Sequence, residues 1–159
     1  MKRPDDIRFE IDHMLIKLGK YLRILGYDAD WNLGLRTHEL ILKANREGRV
    51  FLTRNLHLAE QYPPADRAMV VEQEDPAEQM HAVAARFELD TQCALFAKCI
   101  RCNVMLEPVA DKAQVRSAIH PNVAEQHDRF YRCPGCGTVF WHGSHVRNTC
   151  RKLGLPPPG

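Results

Sequence analysis

No stretch of this 159-residue chain approaches the roughly 20 consecutive apolar residues that a membrane-spanning helix needs. Its opening, Met1-Lys2-Arg3-Pro4-Asp5-Asp6, lacks the apolar core of a secretory leader. There is no internal repeat, which sets aside solenoids and arrays. The first two absences make the cytoplasm the expected compartment, where disulfides are disfavoured. Acid is also scarce toward the C-terminus. Residues 93–159 hold only 4 Asp/Glu against 9 Lys/Arg, a net +5, whereas residues 1–92 hold 16 against 13, a net −3. The overall charge of +2 hides that division. A basic segment beside an acidic one suggests a polyanion held near a carboxylate-rich site, although charge alone fits an ordinary solvated surface equally well.

What the sequence does have is cysteine in pairs. Cys99-Ile-Arg-Cys102 and Cys133-Pro-Gly-Cys136-Gly are two Cys-x-x-Cys knuckles about thirty residues apart. Two such turns can converge on one tetrahedral ion with two thiolates each. Gly135 and Gly137 suit the tight backbone of a knuckle. In a reducing compartment the pairs read as metal ligands rather than bridges, with Zn²⁺ favoured over a four-thiolate iron site. Cys93 and Cys150 lie outside the knuckles and read as free thiols. Four thiolates complete a tetrahedral shell, so His127, His142 and His145 are assigned to supporting the ligands or meeting substrate. Phe140 and Trp141 read as core of the small module that the knuckles would hold, with stacking on single-stranded bases as the other role open to them.

The first ninety residues alternate short strands and helices. Phe9-Glu10-Ile11 reads as a strand ending at Asp12, followed by a helix with Leu15, Leu18, Tyr21, Leu22 and Leu25 on one face and Lys17, Lys20 and Arg23 on a solvated one that could also meet phosphates. Ala29-Asp30-Trp31 reads as a brief strand, and Thr37 as the N-cap of a helix that stops at Gly48. Val50-Phe51-Leu52-Thr53 reads as a fully buried strand running into Arg54-Asn55 and another helical turn. Ala68 to Val71 reads as a further strand, and Asp75-Pro76-Ala77-Glu78 as the capped start of a helix carrying Met80, Val83, Ala84 and Phe87. This alternation implies an α/β fold, a parallel sheet flanked by helices. Ligands gather at the carboxyl ends of such strands, which selects Asp12, Asn55 and the Glu72/Glu74 region. A short helix from Asp111 to Ile119 is expected between the knuckles. The resulting division is an α/β domain over 1–92, a zinc ribbon over 93–150 and a disordered tail over 151–159.

Asp12-His13-Met14-Leu15-x-Lys17-Leu18 with Leu22-Arg23-x-Leu25-Gly26-Tyr27-Asp28, Gly48 to Asn55, Glu72-x-x-Asp75-Pro76-x-Glu78-Gln79, and Glu125-x-His127-Asp128-x-Phe130-x-x-Cys133-Pro134-x-Cys136-Gly137 together carry a resemblance over nearly the whole chain. They resemble the Mut-seven C-terminal ribonuclease domain family, a PIN-like nuclease fold with an appended zinc ribbon. The resemblance implies a metal-dependent ribonuclease whose acidic side chains hold Mg²⁺ or Mn²⁺ at the sheet's carboxyl edge, with RNA as partner. It implies Asp12 and Glu39 as metal ligands, Asn55 as a weakened one, Arg54 near the phosphate, and Cys99, Cys102, Cys133 and Cys136 on zinc.

The chain departs from the family pattern at that edge. His13 stands where the family commonly has glutamate, and the acid that opens the second helix falls at His38 or Glu39, depending on register. Thr53-Arg54-Asn55 stands where the family has Thr-Arg-Asp, and asparagine removes a negative charge from the cluster. Three alternatives follow. A catalytically weakened module could bind RNA or a protein partner; His13 or His38 beside Asp12 could serve a softer metal; and Asn55 and Glu39 could be helix-capping residues.

Overall fold

The computed structural model describes residues 1–159. Four strands, β1 (Arg8–Ile11), β2 (Asp28–Asp30), β3 (Val50–Thr53) and β4 (Ala68–Val70), form a parallel sheet in the order β2-β1-β3-β4. Side chains alternate across it, as strand pleating requires. Phe9, Ile11, Val50 and Leu52 enter one large core with Leu18, Leu22 and Leu25 from the first helix segment and with Met80 and Val83. Phe51 enters a smaller core on the opposite face with Leu40, Ile41, Ala44 and Leu58. Helices α1 (Ile16–Ile24) and α4 (Pro76–Phe87) therefore cover one face, and α2 (Thr37–Glu47) with the short α3 (Leu58–Gln61) covers the other. Both faces are apolar because both are covered.

Local signals place these elements. The Asp12 carboxylate accepts from the His13 amide and starts a 3-10 turn that leads into α1. Gly48, at φ 68°, ends α2 in the left-handed conformation, and Asp75 caps α4 by accepting from the Glu78 amide. Helix α2 starts one residue earlier than its expected cap allows, with Arg36 at the N-cap and Thr37 already helical.

After residue 92 the architecture changes. A three-stranded antiparallel sheet, β5 (Glu107–Pro108), β6 (Tyr131–Arg132) and β7 (Val139–Phe140), carries a small core of Val115, Ile119, Ala124 and Phe130. The helix expected over Asp111 to Ile119 is instead two 3-10 turns, Lys112–Gln114 and Arg116–Ala118. They break at Val115, which leaves helical geometry while its side chain is fully buried in that small core. A short helix, α5 (Pro121–Gln126), follows.

The last helix, α6 (Ser144–Leu153), has no counterpart in the sequence-based expectation. Its Val146, Cys150 and Leu153 recur at i, i+4 and i+7 and join the large core of the first unit. The boundary drawn at residue 150 thus falls inside this helix, and Leu155 beyond it also packs on the core. No helix is long and apolar enough to cross a membrane.

Candidate functional site

The chain runs from β1 through α1 to β2 on one side, then crosses through α2 to β3 on the other side of β1. Strand order reverses between β1 and β3, and the crevice outside their carboxyl ends is the favoured ligand position of such sheets. Asp12 follows β1 there. Its amide donates to the Leu52 carbonyl at 3.0 Å, its Oδ2 accepts from the Thr53 hydroxyl at 2.7 Å, and its Oδ1 accepts from the His13 amide at 2.9 Å. The carboxylate is half-buried and takes part in no ion pair.

The other expected edge residues have defined roles. Asn55 donates its backbone amide to Thr53 Oγ1 at 3.1 Å, its Oδ1 accepts from the His57 amide at 2.9 Å, and its Nδ2 donates to Gln61 Oε1 at 3.0 Å. Both side-chain amide atoms are thus occupied in shaping the turn into α3. Glu39 sits in the first turn of α2, where its Oε1 accepts from the Arg36 amide at 3.2 Å. Arg54 is half-buried and one guanidinium nitrogen donates to the Gln73 carbonyl. The His13 ring reaches the loop after β2, with Nε2 3.3 Å from the Asn32 carbonyl. Glu72 and Glu74 are exposed on the loop after β4. The structure joins Asp12, Thr53 and Asn55 by hydrogen bonds, whereas Glu39 and His38 are bonded to none of them.

The remaining acids of β1 and β2 behave differently. Glu10, fully buried, accepts from Lys43 at 2.8 Å, and Lys43 also holds Asp30 at 2.5 Å. Burial pushes the Glu10 carboxyl above its ordinary range, and its Oε2 has no hydrogen-bond partner. Burial would lower the Lys43 ammonium, but hydrogen bonds to Asp30 and Glu10 outweigh it and hold the group above its ordinary value. Arg49 forms a two-pronged pair with Asp28 at 2.7 and 3.1 Å. Burial would raise the Asp28 carboxyl, but the bonds from Arg49 and Asn103 hold it below the usual range.

Arg23 is not on a solvated face. It is buried, stacks 3.6 Å over the Trp31 ring, and donates to the carbonyls of Ala29 at 2.8 Å and Ile100 at 2.5 Å. Ile100 lies inside the first cysteine knuckle, so Arg23 fastens that knuckle to the parallel sheet. Asn103 adds a second tie, donating to Asp28 Oδ1 at 2.7 Å and accepting from the Ala29 amide at 3.3 Å.

The knuckles themselves are near copies of each other. Cys99 and Cys133 donate their amides to the carbonyls of Val104 and Thr138, and their own carbonyls accept from the amides of Asn103 and Gly137, at 2.9–3.0 Å. Asn103 (φ 58°) and Gly137 (φ 75°) hold the same left-handed position in each turn. The four sulfurs of Cys99, Cys102, Cys133 and Cys136 lie within 4.8 Å of one another, with Cys99 and Cys136 at 3.9 Å. A tetrahedral ion with metal–sulfur bonds of about 2.3 Å needs sulfurs about 3.8 Å apart. The four thiols can therefore hold a zinc ion, and no other group of three or more His, Cys, Asp or Glu ligand atoms comes together this way. Amides of Gly135 and Cys136 donate to Cys133 Sγ at 3.3 and 3.4 Å. Hydrogen bonding with Thr138 brings the Cys136 thiol down to about 6, while hydrogen bonding with Cys133 and Cys136 pushes Cys102 up to about 12. Trp141 packs on the ribbon core, 6.3 Å from the Phe130 ring. Cys93 is exposed and Cys150 buried, both free.

The chain matches the model of the Mut7-C RNAse domain over residues 7–153, which spans sheet, knuckles and α6 alike. It belongs to the Mut7-C RNAse domain family. No curated protein matches it. Membership implies a nuclease-like module that meets nucleic acid, and it places the cysteine cluster and the parallel sheet in one family unit.

Several residues of this Mut7-C domain escaped sequence reasoning. Thr53, which holds the Asp12 carboxylate, reads only as the end of a buried strand. Glu10 carried a usable signal, since an acid between Phe9 and Ile11 in a covered strand must find a buried cation. Asn103 carried none, because its partners on β2 are distant in sequence, and the same distance separates Arg23 from the Ile100 carbonyl it holds.

Proposed function

We propose that this domain is a metal-dependent hydrolase of RNA phosphodiester bonds, with Asp12 as the carboxylate that holds a Mg²⁺ or Mn²⁺ ion. One contrast carries the reading. Among the acids on β1, β2 and the residues that follow them, Glu10, Asp28 and Asp30 are each matched by a cation, and Asp12 is not. A half-buried carboxylate at the reversal of strand order, with spare lone pairs and no counter-ion, suits a hard divalent cation. Mg²⁺ commonly takes one or two carboxylates and fills its other positions with water and substrate phosphates. Asp12 therefore fits as first ligand; Glu39, which the family resemblance makes a second ligand, would first have to yield its bond to the Arg36 amide.

Such an ion, when bound, lowers the pKa of a coordinated water and neutralises charge building on the phosphate oxygens. The chain's own residues prepare the site. Thr53 donates to Oδ2 of Asp12 and fixes the carboxylate's orientation. Arg54, anchored through one nitrogen to Gln73, keeps its other N–H groups for phosphate oxygens, which its planar fork matches. Residues 1–92, with α6 packed into their core, form the nuclease unit in this reading, and the segment from 93 to the start of α6 the ribbon, with Zn²⁺ on the four thiolates as a structural ion. A cytoplasmic setting suits thiols that must stay reduced.

A second reading is favoured by Asn55, whose Oδ1 and Nδ2 each hold a bond within its turn. It makes the domain a weakened nuclease that binds RNA or a protein partner without cutting. Asn55→Asp separates the two, because aspartate can keep the bond to the His57 amide while restoring a charge. A hydrolase with asparagine in place cleaves single-stranded RNA in Mn²⁺ before the substitution, and its rate moves by less than about tenfold after it. Cleavage seen only in Asn55→Asp would establish the weakened module instead.

A further inference from the structure

A surface outside the Asp12 crevice has the chemistry of a polymer track. A groove of about 430 Å³ opens between α1 and α6. On α1 it is lined by Lys17, Lys20, Tyr21 and Ile24, spaced i, i+3, i+4 and i+7 along one stripe about 10 Å long. On α6 it is lined by Thr149 and Lys152, with Ile100 of the first knuckle between the two helices. Lys17, Lys20 and Lys152 are exposed, and none is ion-paired within the protein.

Ile100 also lines a tighter cleft of about 110 Å³ between the ribbon and the start of α6. Its walls include Phe96, Tyr131, Trp141, His142 and His145. The Tyr131 and His142 rings are stacked at 5.5 Å and 23°. His145, Thr149 and Lys152 follow one another at i, i+4 and i+7, so one stripe of α6 joins cleft and groove. Phe96 is held at φ 60°, a conformation bulky residues avoid, by donation of its amide to the Ile24 carbonyl at 2.7 Å. That strained residue connects the cleft wall to the end of α1. Strain of this kind persists where the surroundings fix it, often at binding sites.

We propose that the α1–α6 groove binds the sugar–phosphate backbone of single-stranded RNA and that the adjoining aromatic cleft takes one unstacked base. The identity of the polymer as RNA rests on the hydrolase reading above. Unpaired lysines in a row track phosphates, and aromatic rings accept any base face, which together are the means of single-strand binding. Unstacked bases are available only in single strands, loops and ends. Helix α1 begins just beyond Asp12, with Lys17 five residues on, so the groove leads from the ribbon toward the carboxyl edge.

The test is binding rather than cleavage. A short fluorescent single-stranded RNA is titrated by anisotropy into the zinc-loaded full chain with no Mg²⁺ or Mn²⁺ added. Replacing Lys17, Lys20 and Lys152 together by Gln should weaken binding at least about tenfold and reduce the slope of log affinity against log salt by about 2. His142→Ala should cost about tenfold, and wild-type protein should bind an abasic strand about tenfold more weakly than the intact one. Unchanged affinity and salt slope in the lysine variant would overturn the groove. Equal binding of intact and abasic strands, or of duplex RNA as tight as single strand, would overturn the base cleft. These outcomes do not depend on turnover: an inactive protein with the expected binding profile removes the hydrolase and keeps the track.

Discussion

Asp12 differs from its acidic neighbours in what surrounds it. Glu10, Asp28 and Asp30 have been used up by Lys43, Arg49 and Arg23, and those pairs now hold the molecule together. Arg23 illustrates the cost of breaking one. Arg23→Leu removes one of the two cations beside Asp30 and leaves the carbonyls of Ala29 and Ile100 without their donor. It should lower the unfolding free energy by about 3 kcal/mol in a denaturant titration. Asp28 gives a pH-dependent counterpart. Its folded carboxyl lies below the ordinary 3.8, so its contribution is complete above that value and fades as pH falls through the folded one. Arg49, Asn103 and Lys98 supply the field. The gap in melting temperature between wild type and Asp28→Asn should be constant at neutral and mildly acidic pH, then close below about pH 4.

At the scale of elements, the turn between α1 and β2 is the least forgiving joint. Gly26 has φ 96°, and a Cβ there would meet the Ala94 Cβ at 2.5 Å and its carbonyl oxygen at 2.7 Å. Gly26→Ala should cost about 3 kcal/mol in the same titration, from the left-handed backbone and the clash together. The parallel sheet and its helices could be read in the sequence because each has a strong local signature. Val50 to Thr53 is a short buried run between turn signals, and Asp75-Pro76 with Glu78 marks a helix start. Helix α6 could not, because Ser144 to Leu153 is mostly polar and its three apolar residues matter only once a core from residues 7–95 is there to receive them. The same holds for the site. Asp12 follows from its place at a strand end and the cysteines from their spacing, whereas the two roles left open for Asn55, ligand or cap, are told apart only once its amide is set against His57 and Gln61.

For the molecule as a whole, the ribbon is tied to the sheet and its helices by Arg23 on Ile100, Phe96 on Ile24, Asn103 on β2, and α6 in the large core. Binding energy of a structural zinc is folding energy. Zinc-loaded protein should therefore melt in one calorimetric transition, and chelation should lower that transition rather than split it. Two separate transitions, the upper one indifferent to chelator, would refute the coupling. The loaded protein should also be colourless, since red protein absorbing in the visible would mean iron at the four thiolates. The account finally rests on chemistry at Asp12. The most direct measurement is the rate of single-stranded RNA cleavage in Mn²⁺ by wild type and Asp12→Ala, matched for zinc content and melting temperature. The account predicts metal-dependent cleavage by wild type and a loss of about a hundredfold or more in the variant. Equal rates in the two proteins, or cleavage that persists without divalent metal, would contradict it.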